Sequence, residues 1–269
     1  MKDVALPDIV HVDLFDLKKV DPGVRVPERA EIFDAKDALT YIEGCDFSKT
    51  SDYAIVAAEI VLAFGKQGRI TGHIVEVCPG PGNLCGELLD IGAEKVTGVD
   101  GSPVMINHAR KKFLKQIAHG QMEFIPGIAQ NLPLPDGAVD GIVNFNSFHQ
   151  FADDKRAFDA LREMVRVLKP GGWGLVRDFK RGASNQAEFI DKRATKEEIK
   201  KLLSDSLDAA FTPQEFTNFL DQIPGIELSV TDTKDPWRLS EAICERMRND
   251  PVAHWMDFLI SQHVIFWKI

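Results

Sequence analysis

The sequence predicts a doubly wound α/β fold, a largely parallel sheet with helices on both faces. Three observations predict it. Short β-branched runs recur through the middle of the chain, stretches with helical apolar spacing separate them, and glycine or proline marks most junctions. Strands that alternate with helices pair in parallel through right-handed crossovers, and these place helices on both faces.

Taken in order, residues 1–50 are irregular, punctuated by Pro7, Pro22, Gly23 and Pro27, and read as an N-terminal helical cap or arm. From Ser51 the pattern turns helical: Ser51 or Asp52 could cap a helix carrying Ile55, Ala58, Glu59, Leu62 and Ala63, with Gly65 and Gly68 ending it. The first strand is His73 to Cys78, and further strands are expected at 95–100, 122–125, 139–145 and 174–178. Helices are expected at 83–91, 103–117 and 153–168, the last with Phe158, Leu161, Met164, Val165 and Leu168 at helical spacing. The alternation then breaks. Residues 182–222 and 238–260 read as helical insertions, 226–231 as a strand and 263–268 as a last strand, giving seven strands in a single domain over 51–269.

Composition narrows the function. Of 269 residues 44% are apolar and 27% charged, ordinary proportions for a folded domain. A net charge of −9 repels phosphate backbones, so a small-molecule partner is expected and nucleic acid is not. Cys45, Cys78, Cys85 and Cys244 lack zinc-ligand spacing, so no metal is expected and reduced cytoplasmic thiols fit best. The first twenty residues hold four aspartates instead of a basic, apolar secretory leader, and no run approaches the ~20 apolar residues of a membrane span. A homodimer is compatible with all of this.

The turn Cys78-Pro79-Gly80-Pro81-Gly82 lies where a doubly wound sheet binds its ligand, beyond the carboxyl end of the first strand. Gly80 and Gly82 let a ligand lie against the backbone, while Pro79 and Pro81 remove donors that a dinucleotide pyrophosphate needs. Asp100 ends the second strand 18 residues after Gly82, where a carboxylate can take both ribose hydroxyls; capping a helix ahead of Pro103 is its structural alternative. Glu76, in an apolar strand, needs a partner once buried; a ligand ammonium or loop N–H groups would serve.

The ordered series Val75-Glu76-Val77-Cys78-Pro79-Gly80-Pro81-Gly82, Val99-Asp100-Gly101-Ser102, Asn131 to Asp136 with Val139-Asp140, and Leu168-Lys169-Pro170-Gly171-Gly172 resembles the class I S-adenosylmethionine-dependent methyltransferases. The branch it resembles most includes the ubiquinone and menaquinone biosynthesis C-methyltransferases, and the likeness spans about residues 70–180. It implies a Rossmann-like sheet and S-adenosylmethionine as cofactor. It further implies that Glu76, Cys78, Gly80, Pro81 and Gly82 hold the methionine part and that Asp100 holds the ribose. Gly101, Ser102 and Met105 would flank the adenine, with Gly127, Ile128 and Ala129 beside its edge. Two positions depart from the pattern: Ile128 stands where the family has an aspartate that accepts from the adenine amino group, and Cys78 replaces the first glycine.

Asn144 and Phe145, after the fourth strand, are expected at the cofactor. His149 is the candidate base, the alternative being a histidine that packs the start of the next helix. Phe148 and Phe151 suit the site or the core equally. Asp178 should point toward the site, the alternative being that Arg177 and Arg181 simply pair with it on the surface. Trp237, Trp255 and Trp267 suit an apolar cover or ordinary packing, and the mixed charges of 192–201 a solvated helix face. The expected activity is methyl transfer to a small-molecule acceptor. The alternatives are a fold-retaining binding or regulatory protein, favoured by Ile128 and Cys78, and an NAD(P)-dependent oxidoreductase, disfavoured by the two prolines.

Overall fold

A computed structural model of the chain describes residues 22–28, 38–39, 41–42, 52–183, 186–194, 197–232 and 261–269. Seven strands form one sheet: β1 (His73–Val77), β2 (Lys95–Asp100), β3 (Met122–Pro126), β4 (Val139–Phe145), β5 (Leu168–Phe179), β6 (Ile226–Asp232) and β7 (Ser261–Lys268). Their order is β3-β2-β1-β4-β5-β7-β6, with β3 through β5 parallel and β7 antiparallel to both β5 and β6. The order reverses between β1 and β4, so a crevice opens beyond the carboxyl ends of these two strands.

The helices are α1 (Asp52–Phe64), α2 (Asn83–Asp90), α3 (Pro103–Lys112), α4 (Leu114–Ala118), α5 (Asp154–Val167), α6 (Gln186–Arg193), α7 (Glu197–Ala209) and α8 (Pro213–Leu220). Helices α1, α2 and α3 bury Val56, Ile60, Leu84, Leu88 and Ile106 against one face of the sheet. On the other face α5 and α8 bury Leu161, Met164, Phe216 and Phe219. A strand flanked on both faces is apolar throughout. Ile74, Val75 and Val77 of β1 are fully buried, which makes buried Glu76 the exception to be explained.

Local chemistry accounts for several boundaries. Asp153 caps α5 by accepting from the Arg156 backbone N–H at 2.8 Å, and Thr212 with Glu215 forms a capping box on α8 behind Pro213. The stretch 103–117, expected as one helix, is two. It breaks at Phe113, whose ring turns inward to stack on Phe124 of β3 at 5.9 Å between centroids. Strand β1 stops at Val77, one residue earlier than expected, because Cys78 takes a left-handed φ of 57°. Strand β5 begins at Leu168, six residues earlier than expected, since Leu168 pairs with Val139 across an irregular register.

Residues 182–222 do hold helices, namely α6, α7 and α8. The expected helix at 238–260, Trp237, Trp255, Ser51 and most of the N-terminal cap lie outside the described residues. Within the cap, 22–28 has no regular secondary structure, and 38–39 and 41–42 are helical. Trp267, from β7, packs edge-on against Phe64 of α1. Among the described residues, no helix is long and apolar enough to cross a membrane.

Candidate functional site

The turn after β1 is built on left-handed backbone, with φ of 57° at Cys78, 53° at Gly80 and 80° at Gly82. Gly82 is also a packing requirement, because a Cβ there would lie 2.9 Å from the Phe124 ring. Gly80 differs: a Cβ there would meet nothing closer than the Met105 Sδ at 4.0 Å, which leaves an open place against the backbone. The turn's three N–H groups are all committed. Cys78 donates to the Val99 carbonyl at 2.8 Å, Gly82 to the Pro79 carbonyl at 3.0 Å, and Gly80 to Asp100 Oδ2 at 3.0 Å. With prolines at 79 and 81, the turn offers no spare donor to a pyrophosphate.

Asp100 ties this turn to the start of α3, since its other oxygen accepts from the Ser102 N–H at 2.8 Å. Each carboxylate oxygen has two acceptor sites, so both keep capacity for a ligand hydroxyl. Burial raises the Asp100 pKa against the lowering effect of the two backbone donors. Glu76 is 2% exposed, and its Oε2 accepts from the Cys85 thiol at 2.9 Å. Burial pushes its pKa up to about 8; Asp100 adds to the rise, and the Cys85 thiol and backbone N–H oppose it.

The end of β4 adds polar groups with unused capacity. Asn144 is fully buried and donates to the Val77 carbonyl at 2.9 Å and to Ser147 Oγ at 2.6 Å. Its Oδ1, the Oδ1 of Asn146 and the Oγ of Ser102 are buried without hydrogen-bond partners. Buried polar atoms without partners are uncommon in native proteins, and at the mouth of a crevice they point to a polar ligand. Asn146 also has a left-handed φ of 49°. The non-glycine residues that end β1 and β4 thus share a backbone conformation associated with ligand sites.

Other expected residues fall less directly on the crevice. Gly127 donates to the Asp100 carbonyl at 3.0 Å and is packed against Pro133 and Val99, while Ala129 is buried in the core. Ile128 is 48% exposed and offers an apolar surface at the rim. Phe145 packs edge-on against Tyr53 of α1 and lies 5.2 Å from the Arg177 guanidinium. Gly101 and Pro81 lie on the turns around the crevice, and Met105, in the first turn of α3, is buried beside Gly80. Phe148 and Phe151 belong to the core, 4.9 Å apart edge-to-face.

His149 is 3% exposed and enclosed by carboxylates. Its Nδ1 lies 2.7 Å from Asp178 Oδ1, its backbone N–H donates to Asp178 Oδ2 at 2.7 Å, and its Nε2 is 3.7 Å from Glu28 Oε1. Burial disfavours the imidazolium, but Asp178 and Glu28 outweigh it and the pKa is raised. Arg177 and Arg181 do not take up the alternative of pairing with Asp178. Both are buried, Arg177 3.2 Å from Glu59 and Arg181 2.7 Å from Glu215, because neighbouring residues on β5 face opposite sides of the sheet and the chain beyond it turns toward α8.

Arg25, Glu28 and Cys85 were not singled out as site residues from sequence. Arg25 donates to the Ala209 carbonyl at 2.7 Å, the His149 carbonyl at 3.2 Å and the Phe151 carbonyl, and stacks over Phe211. Its partners lie more than a hundred residues away, so no local pattern announces them. For Cys85 the only signal was Glu76, a buried carboxylate in want of a donor. Beside Arg25 a cavity of about 610 Å3 opens, lined by Pro27, Asp154, Lys155, Arg181 and Glu215 among others. It lies past the carboxyl ends of β4 and β5 and includes none of the residues of the glycine turn.

Known proteins resemble this chain in sequence and in fold. Residues 74–172 match the family described as a methyltransferase domain. The demethylmenaquinone methyltransferase of Chlorobaculum tepidum is 34% identical over 116 residues, 41% of this chain and 42% of that protein. That of Thermus thermophilus is 38% identical over 110 residues, 40% of this chain and 47% of that protein. The matches thus span less than half the length of these relatives. In structure, the plantazolicin methyltransferase BamL, solved with a triazolic desmethylPZN analog and SAH, aligns over 87% of this chain and 91% of that one, with a TM-score of 0.63 at 17% identity. The fold agrees well beyond the part where the sequences do, and residues 74–172 carry a methyltransferase domain similar to that of the demethylmenaquinone methyltransferases.

Proposed function

We propose that the chain transfers a methyl group from S-adenosylmethionine to a small-molecule acceptor. The observation that carries this reading is the crevice at the end of β1, where an open Gly80 and buried Glu76 and Asp100 meet a turn with no spare N–H donor. The residues fit a nucleoside that bears an amino acid: Glu76 can hold an ammonium group, Asp100 ribose hydroxyls, and Ile128 the face of a ring. The unpartnered oxygens of Asn144 and Ser102 are free to accept from the same molecule. When bound, the sulfonium supplies an electrophilic methyl carbon. The chain's part is then to orient the acceptor and exclude water.

The charged cavity beside Arg25 supports a small polar acceptor. In this reading His149, expected as the base, either takes a proton from the acceptor or pins the N-terminal segment through Glu28. In the same reading residues 51–269 act as one domain with 1–50 as its arm, in the cytoplasm and without nucleic acid, and a homodimer is compatible with it. Sedimentation tests the homodimer. Calorimetric titration with S-adenosylhomocysteine and with NADH tests the cofactor, with binding expected for the first alone. Turnover is read as S-adenosylhomocysteine formed with a panel of phenols, thiols, quinols and carboxylic acids. Tight NADH binding without S-adenosylhomocysteine binding would overturn the proposal.

A further inference from the structure

Among the described residues, the groups around Glu76 do not neutralise it. Its neighbours in register are Gly98 of β2 and Val143 of β4, and α1 lays Val56 and Ile60 on the same face. From α2 comes Cys85, fully buried, with its thiol 2.9 Å from the carboxylate; from β2 comes Asp100, a like charge. The cations on this face are engaged elsewhere. Arg177 and His263 meet Glu59, Arg110 donates to the Phe124 carbonyl, and Lys112 reaches Asn83. A charged Glu76 would therefore be a buried anion supported by one thiol and one backbone N–H, an arrangement that favours the protonated acid.

We infer that binding the amino-acid end of the donor expels a proton from Glu76, and that Cys85, through its hydrogen bond to Glu76, is the positioning residue that sets the pH of this exchange. The inference rests on the proposed S-adenosylmethionine site. Its balance is simple: a neutral carboxyl meets a ligand ammonium, a carboxylate–ammonium pair forms, and the carboxyl proton leaves to solvent. The ligand brings a cation that the described residues do not offer Glu76. The upward shift of Glu76 to about 8 places the exchange near neutral pH. Cys85 is a weak donor to a charged acceptor, and its own thiol is held well above its usual range by burial and by Glu76, so it never competes for the charge.

The test compares two ligands, S-adenosylhomocysteine and 5′-methylthioadenosine, which lacks the amino-acid end. Calorimetry in buffers of different ionisation enthalpy counts protons released between about pH 6 and pH 8. S-adenosylhomocysteine should release close to one proton per site at the acid end, with affinity rising up to about tenfold per pH unit; methylthioadenosine should do neither. Glu76→Gln should remove the difference while leaving the ligand's own titration. Cys85→Ser, whose hydroxyl donates more strongly, should move the midpoint to lower pH, and Cys85→Ala to higher pH. S-adenosylhomocysteine that binds without proton release, or a folded Cys85→Ser with an unmoved midpoint, overturns the inference and leaves the site reading standing. If neither ligand binds at any pH, the site reading falls and the inference with it.

Discussion

At Cys78 a side chain occupies a backbone conformation that glycine adopts freely, with φ of 57°. The left-handed region costs a residue with a Cβ about 1 to 2 kcal/mol, and more when the side chain branches at Cβ. Cys78→Val should therefore be less stable than Cys78→Gly by at least about 1 kcal/mol in urea denaturation, and equal midpoints would refute the strain. Glu76 makes a second prediction at this scale. Its pKa is raised on folding from 4.5 to about 8, so between these values the folded protein keeps a proton that the unfolded chain has lost. Stability contributed by Glu76 consequently falls as pH rises through that window and levels off above it. Glu76→Gln should be stabilising relative to the native chain at about pH 8.5, with the gain shrinking toward about pH 5, as measured by thermal melts without ligand. The same variant should lose affinity for S-adenosylhomocysteine, so stability and binding would move in opposite directions.

Among the elements, segment 22–28 is tied to the body of the domain by hydrogen bonds to distant residues. Val26 donates to the Asp208 carbonyl at 3.1 Å, Glu28 accepts from Ser206 at 2.6 Å, and Arg25 forks onto carbonyls of α7 and of the loop before α5. Removing the fork with Arg25→Ala should cost about 1.5 to 3 kcal/mol and speed proteolytic cleavage within 22–28. Arg25→Lys should recover little, because an ammonium lacks the planar geometry that spans several carbonyls. A cleavage rate unchanged by either substitution would show that the segment is held by other contacts. This strap was illegible in the sequence because its partners are remote, whereas α5 was legible from the spacing of Leu161, Met164 and Val165 and the capping Asp153. The break at Phe113 escaped notice for a related reason: helical spacing continues through it, and only the packing of its ring on Phe124 ends the helix. The glycine turn and Asp100 were legible because their roles depend on backbone freedom and on spacing within one βαβ unit. Cys85 was not, since a thiol reveals its partner only once α2 is docked on β1.

Across the whole molecule, the parallel half of the sheet holds the crevice while β7 and β6 close the far side, and one buried charge cluster joins the two halves to α1. Glu59 of α1 lies 3.2 Å from the Arg177 Nε of β5, and its Oε2 is 3.0 Å from the His263 Nε2 of β7. Its other oxygen is buried without a partner. Burial would raise the Glu59 pKa, but His263 and Arg177 outweigh it and hold the pKa below its usual value. For a carboxylate depressed in this way, the stabilisation is present above the unfolded value of 4.5 and is lost as pH falls through the folded one. Glu59→Gln leaves Arg177 buried and uncompensated, so it should destabilise the protein by about 3 to 5 kcal/mol at neutral pH. As pH falls through the depressed folded value the native carboxyl takes up its proton, and the two proteins should converge. Replacing both partners, as Glu59→Gln with Arg177→Met, should recover much of the loss, because an apolar side chain in place of a stranded charge removes the desolvation cost. Urea denaturation of the three proteins at neutral and acid pH separates the outcomes. A single variant that loses less than about 1 kcal/mol at neutral pH would mean that the cluster does not hold α1 to the sheet. In that case α1 would owe its place to the apolar contacts of Val56 and Ile60 and the stacking of Phe64 on Trp173 at 4.1 Å.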